Sequence, residues 1–182
     1  MDGQNSYEMQ MTTQRYRAQI GFYRSNDDMY FSLSLPISYY KEKMDYARAV
    51  LDTTARRSYS MFAPSIFFRT YGKKKLEFHY YMNTEKPGFS TLMPIYDNSN
   101  PLAMRINNPD VKDRTEHDLA VRLNIKCDSI DLSYWVRLVA NIRHNAWGTR
   151  TNYNTRTGAY TYMTDNIGKA NWFGELSAGA NG

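Results

Sequence analysis

The chain has 182 residues, 42% of them hydrophobic and 15% aromatic, with Tyr (16) outnumbering Phe (8). Mean hydropathy is −0.68, and no stretch approaches the roughly 18–20 apolar residues of a membrane helix, although a barrel strand needs only about 9–11 alternating residues. The net charge of +5 is scattered apart from Lys73-Lys74-Lys75 and Lys41-Glu42-Lys43, and the one cysteine, Cys127, excludes an internal disulfide framework or a multi-cysteine metal site.

Seven strands are predicted in chain order. The first covers Thr13–Arg24, with Tyr16, Ala18, Ile20 and Phe22 on one parity and Arg17, Gln19, Gly21 and Tyr23 on the other. A strand alternates its side chains between two faces, so such a segment has one greasy and one polar side. Ser25-Asn26-Asp27-Asp28 is a turn. The second strand, Met29–Tyr40, carries Phe31, Leu33, Leu35, Ile37 and Tyr39 against Ser32, Ser34, Pro36 and Ser38. It is expected to continue past Tyr40, with a short helix over Lys41–Leu51 as the alternative, and Asp52-Thr53-Thr54 reads as a loop.

The third strand, Arg57–Thr70, sets Phe62, Pro64, Ile66 and Phe68 on one side, and Tyr71-Gly72-Lys73-Lys74 turns the chain. The fourth, Lys75–Asn83, places Leu76, Phe78, Tyr80 and Met82 against Glu77, His79 and Tyr81. Residues 84–114 hold Pro87, Gly88, Pro94, Pro101 and Pro109 among many Asn and Asp, which is loop chemistry. The fifth strand, Thr115–Lys126, alternates Leu119, Val121, Leu123 and Ile125 with Asp118, Ala120, Arg122 and Asn124. Cys127-Asp128-Ser129 is a turn. The sixth, Ile130–Asn145, sets Leu132, Tyr134, Val136, Leu138 and Ile142 against Asp131, Trp135, Arg137, Asn141 and Arg143. A loop follows over Trp147–Gly168. The seventh, Lys169–Ala180, places Trp172, Leu176 and Ala178 against Asn171, Phe173 and Glu175.

The expected fold is therefore all-β: an antiparallel up-and-down meander of about seven long strands. Connections are expected to alternate between short and long. Strands of about 10–16 residues exceed the usual 5–6 of soluble sheets, and short turns at one end with long loops at the other are the asymmetry of outer-membrane barrels. Tyr16, Tyr39, Tyr80, Tyr134 and Trp172 near strand ends suit an interfacial aromatic girdle. On that reading Arg17, Gln19, Glu77, His79, Asp118, Arg122, Asn124, Asp131, Arg137, Asn141 and Glu175 face a wet lumen, where opposite charges pair across strands. The apolar parity faces lipid. Single-chain bacterial barrels close with an even strand number, so seven strands imply an incomplete barrel, a single domain over residues 1–182. Met1-Asp2-Gly3-Gln4-Asn5 is no signal peptide, which leaves a cytosolic protein or an internal piece of a longer chain.

The segment Asn100-Pro101-Leu102-Ala103-Met104-Arg105-Ile106-Asn107-Asn108-Pro109-Asp110-Val111-Lys112 resembles the stretch before a descending barrel strand in TonB-dependent outer-membrane receptors. Those commonly show Asn-Pro-(Asn/Asp)-Leu-Lys-Pro there. Here Val111 replaces Leu and Asp113 replaces Pro, and the motif residues are Asn100, Pro101, Asn108, Pro109, Asp110 and Lys112. Leu35-Pro36-Ile37, Leu51-Asp52-Thr53-Thr54 and the Tyr71-Gly72-Lys73-Lys74-Lys75 turn resemble the Bacteroidetes-type branch. The resemblance covers most of residues 6–182. It implies a slice of a roughly 22-stranded barrel importing a large nutrient, such as a metal chelate or a glycan. The implied partners are outer-membrane lipid, the plug and other strands of the same receptor chain, and the TonB complex through a segment outside this chain.

Other chemistry finds little in the residues. His79, His117 and His144 form no HExxH or His-x-His pair. No Gly-x-Ser-x-Gly elbow and no phosphate loop is present, so neither an enzyme, a cofactor nor a metal site is expected. Tyr16-Arg17 and Trp135-Val136-Arg137 interleave aromatic and basic residues as nucleic-acid binders do, but the strands are too long and too strictly two-faced for a small closed barrel. The alternative is a soluble antiparallel β-sheet that binds a ligand or a partner, with the apolar parity as its core.

Overall fold

The computed structural model describes residues 7–48, 51–92, 96–97, 100–168 and 170–182. Met1–Asn5, Pro94 and Lys169 lie outside the described residues. The strands are β1 (Tyr7–Ser25), β2 (Met29–Arg48), β3 (Leu51–Phe62), β4 (Ser65–Thr70), β5 (Lys74–Glu85), β6 (Tyr96–Asp97), β7 (Ala103–Ile106), β8 (Arg114–Cys127), β9 (Leu132–His144), β10 (Trp147–Asn154), β11 (Ala159–Asn166) and β12 (Asn171–Asn181). A large antiparallel sheet runs β1-β2-β4-β5-β8-β9-β12 with β3 also on β2, and a smaller sheet runs β10-β11-β7-β6.

β3 pairs with residues 37–48 of β2 and β4 with residues 29–34, so the two are one interrupted strand. The interruption falls at Ala63-Pro64, opposite Pro36. The Ala63 N–H donates to Pro36 O at 3.4 Å, but Pro36 has no N–H to return. With that join, the seven predicted strands and their order appear in the large sheet. Strand neighbours in sequence are neighbours in space, which is the meander expected of the alternation.

The register gathers every apolar parity onto one face. Phe31, Phe68, Phe78, Val121, Leu138 and Leu176 sit opposite one another across successive strands, and Leu33, Ile66, Tyr80, Leu119 and Ala140 form the next row. This belt is not a core. Ile20, Leu176 and Trp172 are 74%, 72% and 80% exposed. The soluble alternative needed that face packed, and the fold leaves it bare.

The belt also reports the strand tilt. On β2 the run Phe31–Tyr39 centres on Leu35, and on β8 the run His117–Ile125 centres on Val121. The ladder carries Leu33, two residues short of Leu35, through Ile66 and Tyr80 to Leu119, so Leu35 comes level with His117, four residues away from Val121. The belt thus shifts about 13 Å along the strands over three inter-strand steps of about 14 Å in all. Strands carrying a level band must then tilt by about 40°, within the range of membrane barrels.

Several expectations change. Residues 41–48 continue β2 as strand, as expected, and not as the alternative helix, but Asp52-Thr53-Thr54 belong to β3, not to a loop. The connection between β2 and β3 is therefore short, and strict alternation of short and long connections fails there. Both strands run on because each face stays half polar and keeps its ladder partners. β9 begins at Leu132, not Ile130. The predicted loops over residues 84–114 and 147–168 contain the smaller sheet and a 3-10 turn at Phe89–Leu92. At the other end the turns are tight. Asn26 Oδ1 accepts the Asp28 and Met29 N–H groups at 3.1 and 2.8 Å, and Gly72 takes φ 93°, a conformation that suits glycine.

Candidate functional site

The face opposite the belt is charged. The register places Arg17, Gln19, Glu77, His79, Asp118, Arg122, Asn124, Arg137, Asn141 and Glu175 on it. Asp131 is the exception among the residues expected there. It sits in the turn before β9 with φ 43°, a left-handed conformation that Asp tolerates. Its side chain is 93% exposed and reaches only Lys126, at 3.9 Å. His117 lies on the belt face, where Tyr80 Oη and His117 Nδ1 are 2.9 Å apart.

A row of charge crosses the middle of the polar face. Arg69 pairs with Glu77 at 2.9 Å, Glu77 stands opposite Arg122, and Arg122 stands opposite Arg137. Phe67, Glu77, His79, Ala120, Arg122 and Arg137 line a hollow of about 300 Å³. The Arg122 guanidinium lies 5.8 Å from the Trp135 ring, and the indole covers Gly179, where an added Cβ would meet it at 2.9 Å. Nearer the long loops, Asn141 donates to Glu116 at 2.7 Å and to Asp118 at 2.6 Å, while Arg143 donates to Glu116 at 2.8 Å. Beyond the belt margin at His117, the Asn141 and then the Arg143 hydrogen bonds hold the Glu116 carboxyl below its usual range.

Above Tyr39 the two faces of β2 exchange character. The outer parity becomes Lys41, Lys43 and Asp45, and the inner parity becomes Tyr40, Glu42, Met44 and Tyr46. The inner residues pack against residues 86–89 to form a cavity of about 510 Å³. Met44 has no exposed surface and Phe89 is 7% exposed. Arg57 Nε donates to Glu42 Oε2 at 2.6 Å, Tyr59 Oη donates to Glu42 Oε1 at 2.9 Å, and Arg57 also donates to Pro87 O at 3.0 Å. The Arg57 guanidinium lies 5.0 Å from the Tyr59 ring and 4.8 Å from Phe89. Met9 and Met11 complete an aromatic and thioether wall around a fixed ion pair, a surface suited to holding a large, partly apolar ligand. Strand alternation alone does not reveal this cavity. The exchange of parity at Tyr39 is the signal that could have.

The motif around Asn108 ties the long loops together. Asn108 is buried, its Nδ2 donates to Thr164 O at 3.1 Å, and its Oδ1 accepts the Asp110 N–H at 3.0 Å. The Lys112 N–H donates to Asn166 Oδ1 at 2.7 Å, and Trp147 Nε1 donates to Lys112 O at 2.8 Å. Upstream, Asn100 Oδ1 accepts the Leu102 N–H at 3.0 Å, closing the Asn100-Pro101 turn ahead of β7. β7 pairs in parallel with β11, Ala103 opposite Tyr160 through Ile106 opposite Met163. Pro109 separates Asn108 from Asp110 within this clamp. Among the described residues no three His, Cys, Asp or Glu side chains lie close enough to hold a metal ion.

A family model described as outer membrane protein beta-barrel family matches residues 37–180. Among solved structures the chain is similar to the siderophore receptor PirA from Pseudomonas aeruginosa, at 11% identity and TM-score 0.56, over 92% of this chain and 39% of that one. It is also similar to the Serratia marcescens hemophore receptor HasR, solved with its hemophore HasA and heme, at 10% identity and TM-score 0.56, over 96% and 40%. The copper transporter OprC gives 13% identity and TM-score 0.60, over 92% and 26%. None of the curated proteins matches. The chain spans well under half the length of these structures, and the likeness to them is one of fold.

Proposed function

Because the chain belongs to the outer membrane protein beta-barrel family and its place is the bacterial outer membrane, we propose that it forms seven strands in the wall of a larger, TonB-driven import barrel. The proposed cargo is a large nutrient such as a metal chelate or a glycan. The activity is transport and not catalysis. The observation that carries this reading is the two-faced sheet, with a bare apolar belt on one side and the Arg69, Glu77, Arg122 and Arg137 row on the other. The belt faces lipid and the charged row faces a wet lumen. The short turns then lie in the periplasm and the long loops outside. The cavity under residues 86–89 is where incoming ligand first touches this part of the wall. A plug and the TonB-contacting segment come from other parts of the same receptor. Siderophore, heme and copper in the names of the similar structures make metal-bearing ligands the first to try.

The test uses the full-length receptor in its own cells. Outer-membrane fractions are examined for a heat-modifiable barrel, and uptake of iron-loaded siderophore, heme and copper is compared between cells with the gene, without it, and without TonB. Uptake lost in both deletions is the expected result. A heat-modifiable barrel whose deletion and TonB dependence change no uptake, glycan growth substrates included, would overturn the import reading.

A further inference from the structure

Outside the belt, on the loop side of the Tyr16–Tyr39 pair, three cations share one face. Tyr16 and Tyr39 lie ring to ring at 6.5 Å. One step further on the same outer parity stands Lys41, opposite Gln14 on β1 and Ser58 on β3; the next step holds Lys43, opposite Thr12 and Arg56. Two cations directly opposite each other destabilise a sheet unless an anion sits between them. Asp45 pairs directly with Lys43 at 2.8 Å while accepting Thr54 Oγ1 at 2.6 Å, and the Arg56 charge reaches it from further off, so one carboxylate faces three cations. Among the described residues Lys41 and Arg56 have no acidic partner within ion-pair distance. Thr12, Gln14, Tyr39, Lys41, Lys43 and Arg56 line a hollow of about 420 Å³, whose lining also takes in Glu42 and Arg57, already paired with each other on the inner parity. Below it, Ala18 and Ile37, Ile20 and Leu35, and Phe22 and Leu33 stand opposite one another down the belt.

We infer that Lys41, Lys43 and Arg56 seat the phosphate of an anionic, phosphorylated glycolipid of the outer leaflet, with its acyl chains lying on Ile37, Leu35 and Leu33. The inference rests on the reading that the long loops face outside. Charge complementarity and continuity with the lipid-facing belt both select a lipid phosphate. A soluble anion would have no use for the apolar lane beneath the cations. The hydroxyl of Thr12 and the amide of Gln14 supply neutral donors for the remaining phosphate oxygens. On β5, β8 and β9 the described outer residues just beyond the loop-side belt margin are Thr84, Thr115 and His144, so among the strands compared the patch is confined to β1, β2 and β3.

The full-length receptor in detergent tests this against three probes: lipid A, lipid A stripped of its phosphates, and inorganic phosphate. Bound lipid per barrel is read by native mass spectrometry, and heat-modifiable gel mobility verifies that each variant is folded. Lipid A is expected to bind, and Lys41→Gln/Arg56→Gln to weaken it about 25-fold, at about fivefold per cation. The charge-conserving Lys41→Arg/Arg56→Lys and the turn-side Arg24→Gln keep it. Equal binding of the phosphate-free lipid, displacement of lipid A by inorganic phosphate at equal concentration, or an undiminished load on the double Gln variant each overturns the proposal. Loss of lipid A from Arg24→Gln alone overturns the membrane orientation instead. Should the double Gln variant not fold, the comparison of lipid A with its phosphate-free form on the unaltered receptor decides.

Discussion

Val121→Arg tests the face assignment most sharply. Val121 stands between Phe78 and Leu138 on the belt. It is four residues from Ile125, which opposes Tyr134 at the turn side, and four from His117, which opposes Ile142 beside Trp172 at the loop side. Each margin is about 13 Å away along the strand, or about 10 Å in height at a tilt of about 40°. Val121 is therefore at the midplane of the belt, where an arginine on the lipid face costs about 2–4 kcal/mol. That lowers the folding equilibrium by a factor of about 30 to 900. Its neighbour Ala120 stands between His79 and Val139 on the polar face. Ala120→Arg places the same charge on the polar face beside the charged row, with an expected change within about 1 kcal/mol. Ile125→Arg, at the belt margin, is expected to cost about 0–1 kcal/mol. The assay is reversible chemical unfolding of the full-length receptor in lipid vesicles, followed by tryptophan fluorescence and gel mobility. The order Val121, Ile125, Ala120 from most to least damaging is expected. Equal costs at Val121 and Ala120, or no dependence on depth, would refute the lipid-facing belt.

Three further outcomes are expected. Asn108→Ala leaves Thr164 O and the Asp110 N–H without their partner and loosens the loop clamp by about 1–3 kcal/mol, seen as faster proteolysis within residues 100–113 and 145–168 of the intact barrel and unchanged gel mobility. Gly179→Val drives a branched side chain into the Trp135 indole, costs about 1–3 kcal/mol as overpacking does, and changes the near-ultraviolet circular dichroism, whereas Gly174→Ala does not. Because the Glu116 carboxyl is held below its ordinary 4.5 by Asn141 and Arg143, its ionised form stabilises the fold. That contribution is complete above about pH 4.5 and is lost as pH falls through the depressed value. Glu116→Gln should flatten this part of the stability profile in acid unfolding, and an unchanged acid limb would contradict the assignment.

The seven strands were legible because burial against one medium and exposure to another imprints period two on the residues. Leu119, Val121, Leu123 and Ile125 can be read without any partner. The same rule explains what was not legible. Past Tyr39 neither parity of β1, β2 or β3 stays greasy, so the expected continuation of β2 competed with a short helix, Asp52-Thr53-Thr54 read as a loop, and the first strand was placed no earlier than Thr13. β7 and β11 are held by a parallel pairing across more than fifty residues of chain, which no local pattern announces. β7 is only the four residues Ala103–Ile106, and the Thr, Tyr and Asn content of β11 resembles any polar loop. Asp131 misled because a residue one place before a strand shares its parity while its backbone belongs to the turn. The cavity depends on Phe89 arriving over Met44, a contact between distant segments.

The parallel pairing of β7 with β11 has an evolutionary edge. Connecting loops usually vary in length and composition one by one. Here residues 103–106 and 160–163 share a single hydrogen-bonded ladder, and Asn108 and Asn166 rivet the two segments just past its Ile106–Met163 end. An insertion in one loop slips the register of the other and turns a satisfied strand edge into a sticky one. A change of length in either segment alone is thus constrained by the register of the other.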